Sequence, residues 1–175
     1  MPTPTGRYEE IDGTPVVRFE RVLAHPPAAV WAAITEPSQL ASWFPTSVEF
    51  AQLAAGEAIE FHFPDDAYPP MRGAFREVDP PRRLEFSWGD DVLVFALAEA
   101  DGGRGCRLSF TVALDSAAKA ARDAASWDTC LDGLAASLSG APQRPAHDER
   151  WSSYYAEYQA AGLPAGAEVP PAPGG

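Results

Sequence analysis

Residues 83–112, RLEFSWGDDVLVFALAEADGGRGCRLSFTV, carry the decisive pattern, because their apolar side chains recur every second position. Leu84, Phe86 and Trp88 alternate with Arg83, Glu85 and Ser87. Leu93, Phe95 and Leu97 make a second such run, and Leu108, Phe110 and Val112 alternate with Arg107, Ser109 and Thr111. Successive side chains of a strand point to opposite faces, so each run predicts a strand with one apolar and one polar side. Gly89-Asp90-Asp91 and Asp101-Gly102-Gly103 separate the runs, and connections this short join antiparallel neighbours. The stretch is an antiparallel meander with one buried and one wet face.

Upstream the same period extends back to Thr46. Ile59, Phe61 and Phe63 alternate with Ala58, Glu60 and His62, and turns are expected at Ala55-Gly56, Pro64-Asp65-Asp66 and Asp79-Pro80-Pro81. Before Thr46 the period is helical. Val30, Trp31 and Ile34 recur at three-to-four spacing after His25-Pro26-Pro27, and Pro37 restarts a short helix holding Leu40, Trp43 and Phe44. Residues 15–24 precede these helices as a strand, which Asp12-Gly13 turns into a hairpin.

Downstream, Ser116 is the expected N-cap of a long helix that Gly140 stops. Trp127, Cys130, Leu131, Leu134 and Leu138 share one face of it, whereas Asp123, Asp128 and Asp132 fall on the side expected to meet solvent. The chain thus divides into a polar lead-in or hairpin arm (1–14), a sheet-and-helix domain (15–140), a linker with a short aromatic helix (141–162) and a tail (163–175). Trp151, Tyr154, Tyr155 and Tyr158 mark the short helix, and the Pro-, Ala- and Gly-rich tail is expected to be disordered.

Charge excludes two classes of partner. Thirteen Lys and Arg face 25 Asp and Glu, a formal net charge of -12. Nucleic-acid backbones and anionic lipid surfaces both attract clustered cations, so neither nucleic acid nor a membrane is expected as a partner. No run approaches the ~18 apolar residues of a membrane span, and Met1 to Gly13 lacks the basic-then-apolar order of a secretion leader. A cytoplasmic protein is expected. One lysine, Lys119, beside twelve arginines suggests a GC-rich bacterial genome. Cys106 and Cys130 are read as buried thiols, since two cysteines make no disulfide framework.

Catalytic constellations are not legible. His25, His62 and His147 share no ligand spacing, so neither metal nor cofactor is expected. No Gly-x-Ser-x-Gly elbow occurs, and Asp101-Gly102-Gly103-Arg104-Gly105 is a hairpin loop between strands, not a phosphate cradle. Asp65-Asp66 and Asp90-Asp91 are expected to be solvated turn residues.

Four stretches in this order resemble the START-related SRPBCC superfamily. They are His25-Pro26-Pro27-Ala28-Ala29-Val30-Trp31 with Pro37, Leu40, Trp43 and Phe44; residues 78–88, VDPPRRLEFSW; Gly105-Cys106-Arg107-Leu108; and residues 127–138, WDTCLDGLAASL. The second and later stretches are similar to the branch named for the activator of the 90-kDa heat-shock-protein ATPase. That resemblance implies an α+β helix-grip fold, a curved antiparallel sheet wrapped around a long C-terminal helix, with two short helices after the first strand. A cavity between sheet and helix commonly receives a small apolar or amphipathic molecule in such proteins. Many relatives carry Thr-His near the end of the last strand; Thr111-Val112 stands here, so that polar group is expected to be missing.

The resemblance directs attention to the aromatics. Trp43, Phe44, Phe61, Phe63, Met71, Phe75, Phe86, Trp88, Phe95 and Trp127, with Cys130, Leu131 and Leu134, are the candidate pocket lining. They either line a ligand cavity or fill it as an ordinary core. The first functional reading is non-enzymatic binding of a small hydrophobic or aromatic molecule. The alternative is a cyclase, aromatase or hydrolase with Tyr68, His62 or Asp65 as acid or base, and a lesser one is a chaperone ATPase regulator. The chain is expected to be a monomer, or a homodimer joined through the aromatic tail.

Overall fold

The structure is a computed structural model that describes residues 3–141 and 147–169, with the side chains of His147 and Asp148 left out. Among the described residues the strands are β1 (Arg7–Ile11), β2 (Thr14–Leu23), β3 (Ser47–Phe50), β4 (Ala58–His62), β5 (Met71–Asp79), β6 (Arg83–Trp88), β7 (Asp91–Ala100) and β8 (Gly105–Ala113). Helices are α1 (Pro27–Thr35), α2 (Pro37–Leu40), α3 (Ala120–Leu138) and α4 (His147–Ala160). The strands form one antiparallel sheet in the order β1-β2-β8-β7-β6-β5-β4-β3. This is the α+β helix grip expected from the alternation and the resemblance.

Register places the alternating apolar residues on the inner face. Phe19 pairs with Phe110, Phe110 with Phe95, and Phe95 with Leu84, so one row of large side chains crosses four strands. Phe19, Phe95, Phe110 and Leu84 are all buried. Asp12 (φ 51°) and Gly13 (φ 80°) both adopt positive φ, the geometry a two-residue hairpin turn needs between β1 and β2. Between Phe75 and Glu77 the β5–β6 register shifts, and such a bulge increases local twist and curvature.

α3 runs across the inner face with Trp127, Leu131 and Leu134 buried. Gly133 of α3 lies against the segment that follows α2, where an added Cβ would lie 3.4 Å from Trp43 Cβ. The helix starts later than Ser116, because a short 3-10 turn over Ala117–Lys119 intervenes and Ser116 makes no side-chain cap. Its end follows expectation. Gly140 (φ 73°) donates to Ser137 O at 3.1 Å and Ala141 to Ala136 O at 3.0 Å, the paired bonds of a left-handed glycine terminus.

One expectation is corrected outside this frame. Residues 163–169 are held against the start of α3 instead of trailing free: Ala121 N–H donates to Pro164 O at 3.0 Å and Ala167 N–H to Ala118 O at 3.2 Å. Leu163 packs on the core, which supplies the apolar anchor that composition alone conceals. Residues 170–175 of that expected tail, and 142–146 of the expected linker, lie outside the described residues. The aromatic helix packs on its own α3, with Tyr154 and Tyr158 buried and Trp151 donating to Ser126 Oγ at 2.9 Å.

Candidate functional site

The sequence places Phe61, Phe75, Phe86, Trp88, Phe95 and Phe110 at inward positions of β4–β8, and the fold brings these rings into one cluster. Phe44, at the end of the α2 turn, is its hub: ring centroids lie 5.2 Å away for Trp88, 5.7 Å for Trp127, 6.1 Å for Phe61 and 6.3 Å for Phe86. Phe95 continues the stack to Phe110 at 4.4 Å, and Trp127 closes on Phe110 at 5.2 Å. Trp43 is fixed beside this cluster because its Nε1–H donates to Ala33 O at 2.9 Å, tying α2 to α1.

These rings fill most of the space between sheet and helix. The void that remains has room for about 10 Å³, lined among others by Ile34, Phe44, Val48, Ile59, Phe75 and Phe86. That is about the space of one water and far below the ~300 Å³ of an ordinary ligand pocket. The void between the sheet and α3 is therefore not a preformed ligand cavity. Large rings meeting at 5–6 Å leave too little unfilled volume between the two layers.

A second concavity of about 180 Å³ is bordered by Ala41, Phe44, Pro45, Thr46 and Ser47 from the α2–β3 connection and by His62, Phe63 and Pro64 at the end of β4. Phe44 borders both spaces. Thr46 is buried, and its hydroxyl has no hydrogen-bond partner among the described residues. His62 Nε2 stands at ion-pair distance from Glu60 (2.9 Å) and Glu49 (3.7 Å).

Of the candidate lining residues, Phe44, Phe61, Phe75 and Phe86 border the inner void, while Phe44 and Phe63 border the outer cleft. Trp43, Phe95, Trp127, Cys130, Leu131 and Leu134 belong to the surrounding core cluster, with Trp88 and Met71, partly buried, packed against it. Sequence reading missed Ile34, Leu40, Val48, Phe50 and Ile59 as void neighbours, and Thr46 as a cleft residue. The signals were the alternation that places Ile59 beside Phe61, the helical spacing of Ile34 and Leu40, and the short alternation of Val48 and Phe50. Of the acid–base candidates, Tyr68 and Asp65 are exposed and His62 touches only the outer cleft. Val112 stands fully buried between Val17 and Leu93, an apolar environment with no polar group at that position.

One polar centre was not expected. Asp128 on α3 is fully buried and accepts from Arg21 Nη2 at 2.7 Å, Thr5 N at 3.0 Å, Thr5 Oγ1 and the Tyr158 hydroxyl. Arg21 also donates to Asp132 at 2.9 Å, and Asp132 accepts from Arg150 at 3.0 Å and from Tyr154 at 2.8 Å. Asp128 and Asp132 therefore belong to an internal network and not to a solvated face, because α4 and the N-terminal arm cover that side of α3. Burial, reinforced by these carboxylates, raises both tyrosine hydroxyls well above the ordinary tyrosine range. Asp91, expected in a solvated turn, is likewise buried against Lys119 Nζ at 2.7 Å and accepts from Asp115 N at 2.9 Å. Burial pushes its carboxyl up despite that cation. Among the described residues no group of three or more His, Cys, Asp or Glu is placed to hold a metal ion.

Comparison with known proteins follows this geometry. The family model described as Activator of Hsp90 ATPase homolog 1-like protein matches residues 24–139. No curated protein matches the chain. Among solved structures, a conserved protein of unknown function from Enterococcus faecalis is similar at TM-score 0.71 and 20% identity, covering 89% of this chain and 91% of the other. CalU16 from Micromonospora echinospora is similar at TM-score 0.69 and 21% identity, over 89% and 94% of the two chains. DynU16, from the dynemicin biosynthetic locus, is similar at TM-score 0.61 and 22% identity, over 71% of this chain and 47% of that one. At these identities the structures share the fold. The family match spans α1 through α3, the segment that builds both the aromatic cluster and the cleft. The chain belongs to the Activator of Hsp90 ATPase homolog 1-like family, a branch of the helix-grip SRPBCC superfamily.

Proposed function

We propose that the protein binds a small apolar or aromatic molecule, without chemically transforming it, between the sheet and α3. The observation that carries this reading is the position of Phe44, which borders both the inner void and the outer cleft. Displacing that ring joins the two spaces and exposes a wall of Ile34, Val48, Ile59, Phe75 and Phe86. A ligand replacing the ring recovers its aromatic contacts, and burying ~200 Å² of apolar ligand surface is worth about 5 kcal/mol before the costs of association.

The lining supports binding over chemistry. Every void-lining side chain is hydrocarbon except Thr35, and its hydroxyl is occupied by donating to Trp31 O at 2.7 Å. A reaction that moves protons needs an acid or base within hydrogen-bond reach of its substrate. CalU16 and DynU16 share the fold, and the latter comes from the dynemicin biosynthetic locus.

Fluorescence titration with the neutral probe N-phenyl-1-naphthylamine tests this. Saturable enhancement is expected for the native chain, with tighter binding to Phe44→Ala, which removes that ring. Absence of saturable binding to both forms, with Phe44→Ala folded by circular dichroism, would refute the reading.

A further inference from the structure

The 180 Å³ cleft has the attributes of a specificity subsite, not merely a way in. An apolar cavity of ~150 Å³ is enough to take benzene, so the cleft accommodates a single six-membered ring. Phe44 and Phe63 both border the cleft, and Pro45 and Pro64 stiffen the two backbone segments that bear them. Rigid walls favour a flat occupant.

Its polar features are fewer and sharper. Thr46 is only 2% exposed, yet its hydroxyl has no partner among the described residues. Buried hydroxyls are normally paired, and leaving one unpaired is unfavourable, so an occupant that pairs it gains both the bond and relief of that cost. A hydroxyl both donates and accepts, which suits an occupant that also bears a hydroxyl.

Charge narrows the class further. Among the described residues no Lys or Arg borders the cleft, and the ionisable side chain that does is His62, beside Glu60 and Glu49. An anionic occupant would leave water there without a Lys or Arg on the cleft wall to offset its charge. Benzoate-like acids are thereby disfavoured against neutral rings of the same size.

We infer that the cleft between the α2–β3 turn and the end of β4 selects neutral hydroxylated monocyclic aromatics, phenols, through the Thr46 hydroxyl. This rests on the ligand-binding reading above and supplies its ligand class. The phenol hydroxyl donates to Thr46 Oγ1 or accepts from it, while its ring lies against Phe44 and Phe63.

The full-length chain is titrated with toluene, phenol and benzoate, followed by amide and side-chain NMR shifts, in the native form and in Thr46→Val and Thr46→Ser. Phenol is expected to bind five- to tenfold more tightly than toluene, the worth of about one hydrogen bond. Thr46→Val should abolish that preference while leaving toluene binding intact, Thr46→Ser should restore it, and benzoate should bind at least tenfold more weakly than phenol. Equal affinity for toluene and phenol, unchanged in Thr46→Val, would overturn the subsite while leaving the ligand-binding reading standing. Failure of toluene and phenol alike to bind saturably, together with failure of the naphthylamine probe, would overturn both.

Discussion

Replacing Arg21 by Met should destabilise the fold by about 3 kcal/mol, at the lower end of the range for stranding a buried charge. The guanidinium reaches Asp128 at 2.7 Å and Asp132 at 2.9 Å, and the Asp128 side chain is 0% exposed. Without Arg21 the Asp128 carboxylate keeps the neutral donors Thr5 N, Thr5 Oγ1 and Tyr158, but loses its compensating cation. Those three donors are the reason to expect the lower end. Asp132 is less affected, because Arg150 still reaches it at 3.0 Å. Methionine fills a similar volume beside Phe19 and Leu23, so lost packing contributes little. In urea unfolding with a slope near 2 kcal/mol/M, the loss appears as a midpoint shift of about 1.5 M. The double variant Arg21→Met/Asp128→Asn separates charge from packing. Asparagine retains an acceptor for Thr5 and Tyr158 without the charge, so it should recover at least about 1 kcal/mol of the loss. A single-variant effect below about 0.5 kcal/mol, or no recovery in the double variant, would refute the assignment of Arg21 as the partner of a desolvated carboxylate.

Three further perturbations probe other parts of the structure. Tyr154 and Tyr158 hold their protons more tightly folded than unfolded, so stability is fully present below the unfolded tyrosine value near 10 and falls as pH rises above it. Each contributes a slope of up to about 1.4 kcal/mol per pH unit, and urea midpoints between pH 9 and 11 should flatten in Tyr154→Phe/Tyr158→Phe. Gly73→Ala places a Cβ 2.1 Å from the backbone Ser87 O, so the β5–β6 pair must separate, at a cost of about 2 kcal/mol or more read from thermal unfolding. Truncation after Gly162 removes the bonds to Ala118 and Ala121 and the packing of Leu163, and should cost about 2–3 kcal/mol by denaturant unfolding; a truncated chain as stable as the full one would contradict the packing of 163–169.

What could be read in advance followed from periodicity. The pairs Leu84–Phe95 and Phe95–Phe110 are adjacent in the sheet because alternation and short turns leave an antiparallel meander little other choice. α3 was legible for the same reason, through Trp127, Leu131 and Leu134. Asp128 was misread because its neighbours come from Thr5, Arg21 and Tyr158, far away in sequence, and helical spacing alone assigns such a residue to solvent. Volume was equally hidden: the pattern identified which rings face inward, but not that they would meet closely enough to leave only about 10 Å³. Thr46 carried no signal at all, since a single threonine after proline is ordinary and only its burial without a partner sets it apart.

Methyl NMR of the native chain titrated with N-phenyl-1-naphthylamine tests interior ligand binding most directly. Ile34, Leu40, Val48 and Ile59 border the void together with Phe44, and Val22, 70% exposed, serves as the surface control. If the ligand displaces Phe44 and enters, the methyl signals of those four residues shift together and saturate at one affinity while Val22 stays unchanged. If they stay fixed while the probe shifts only surface methyls such as Val22, the interior is a closed core and the proposed function is wrong.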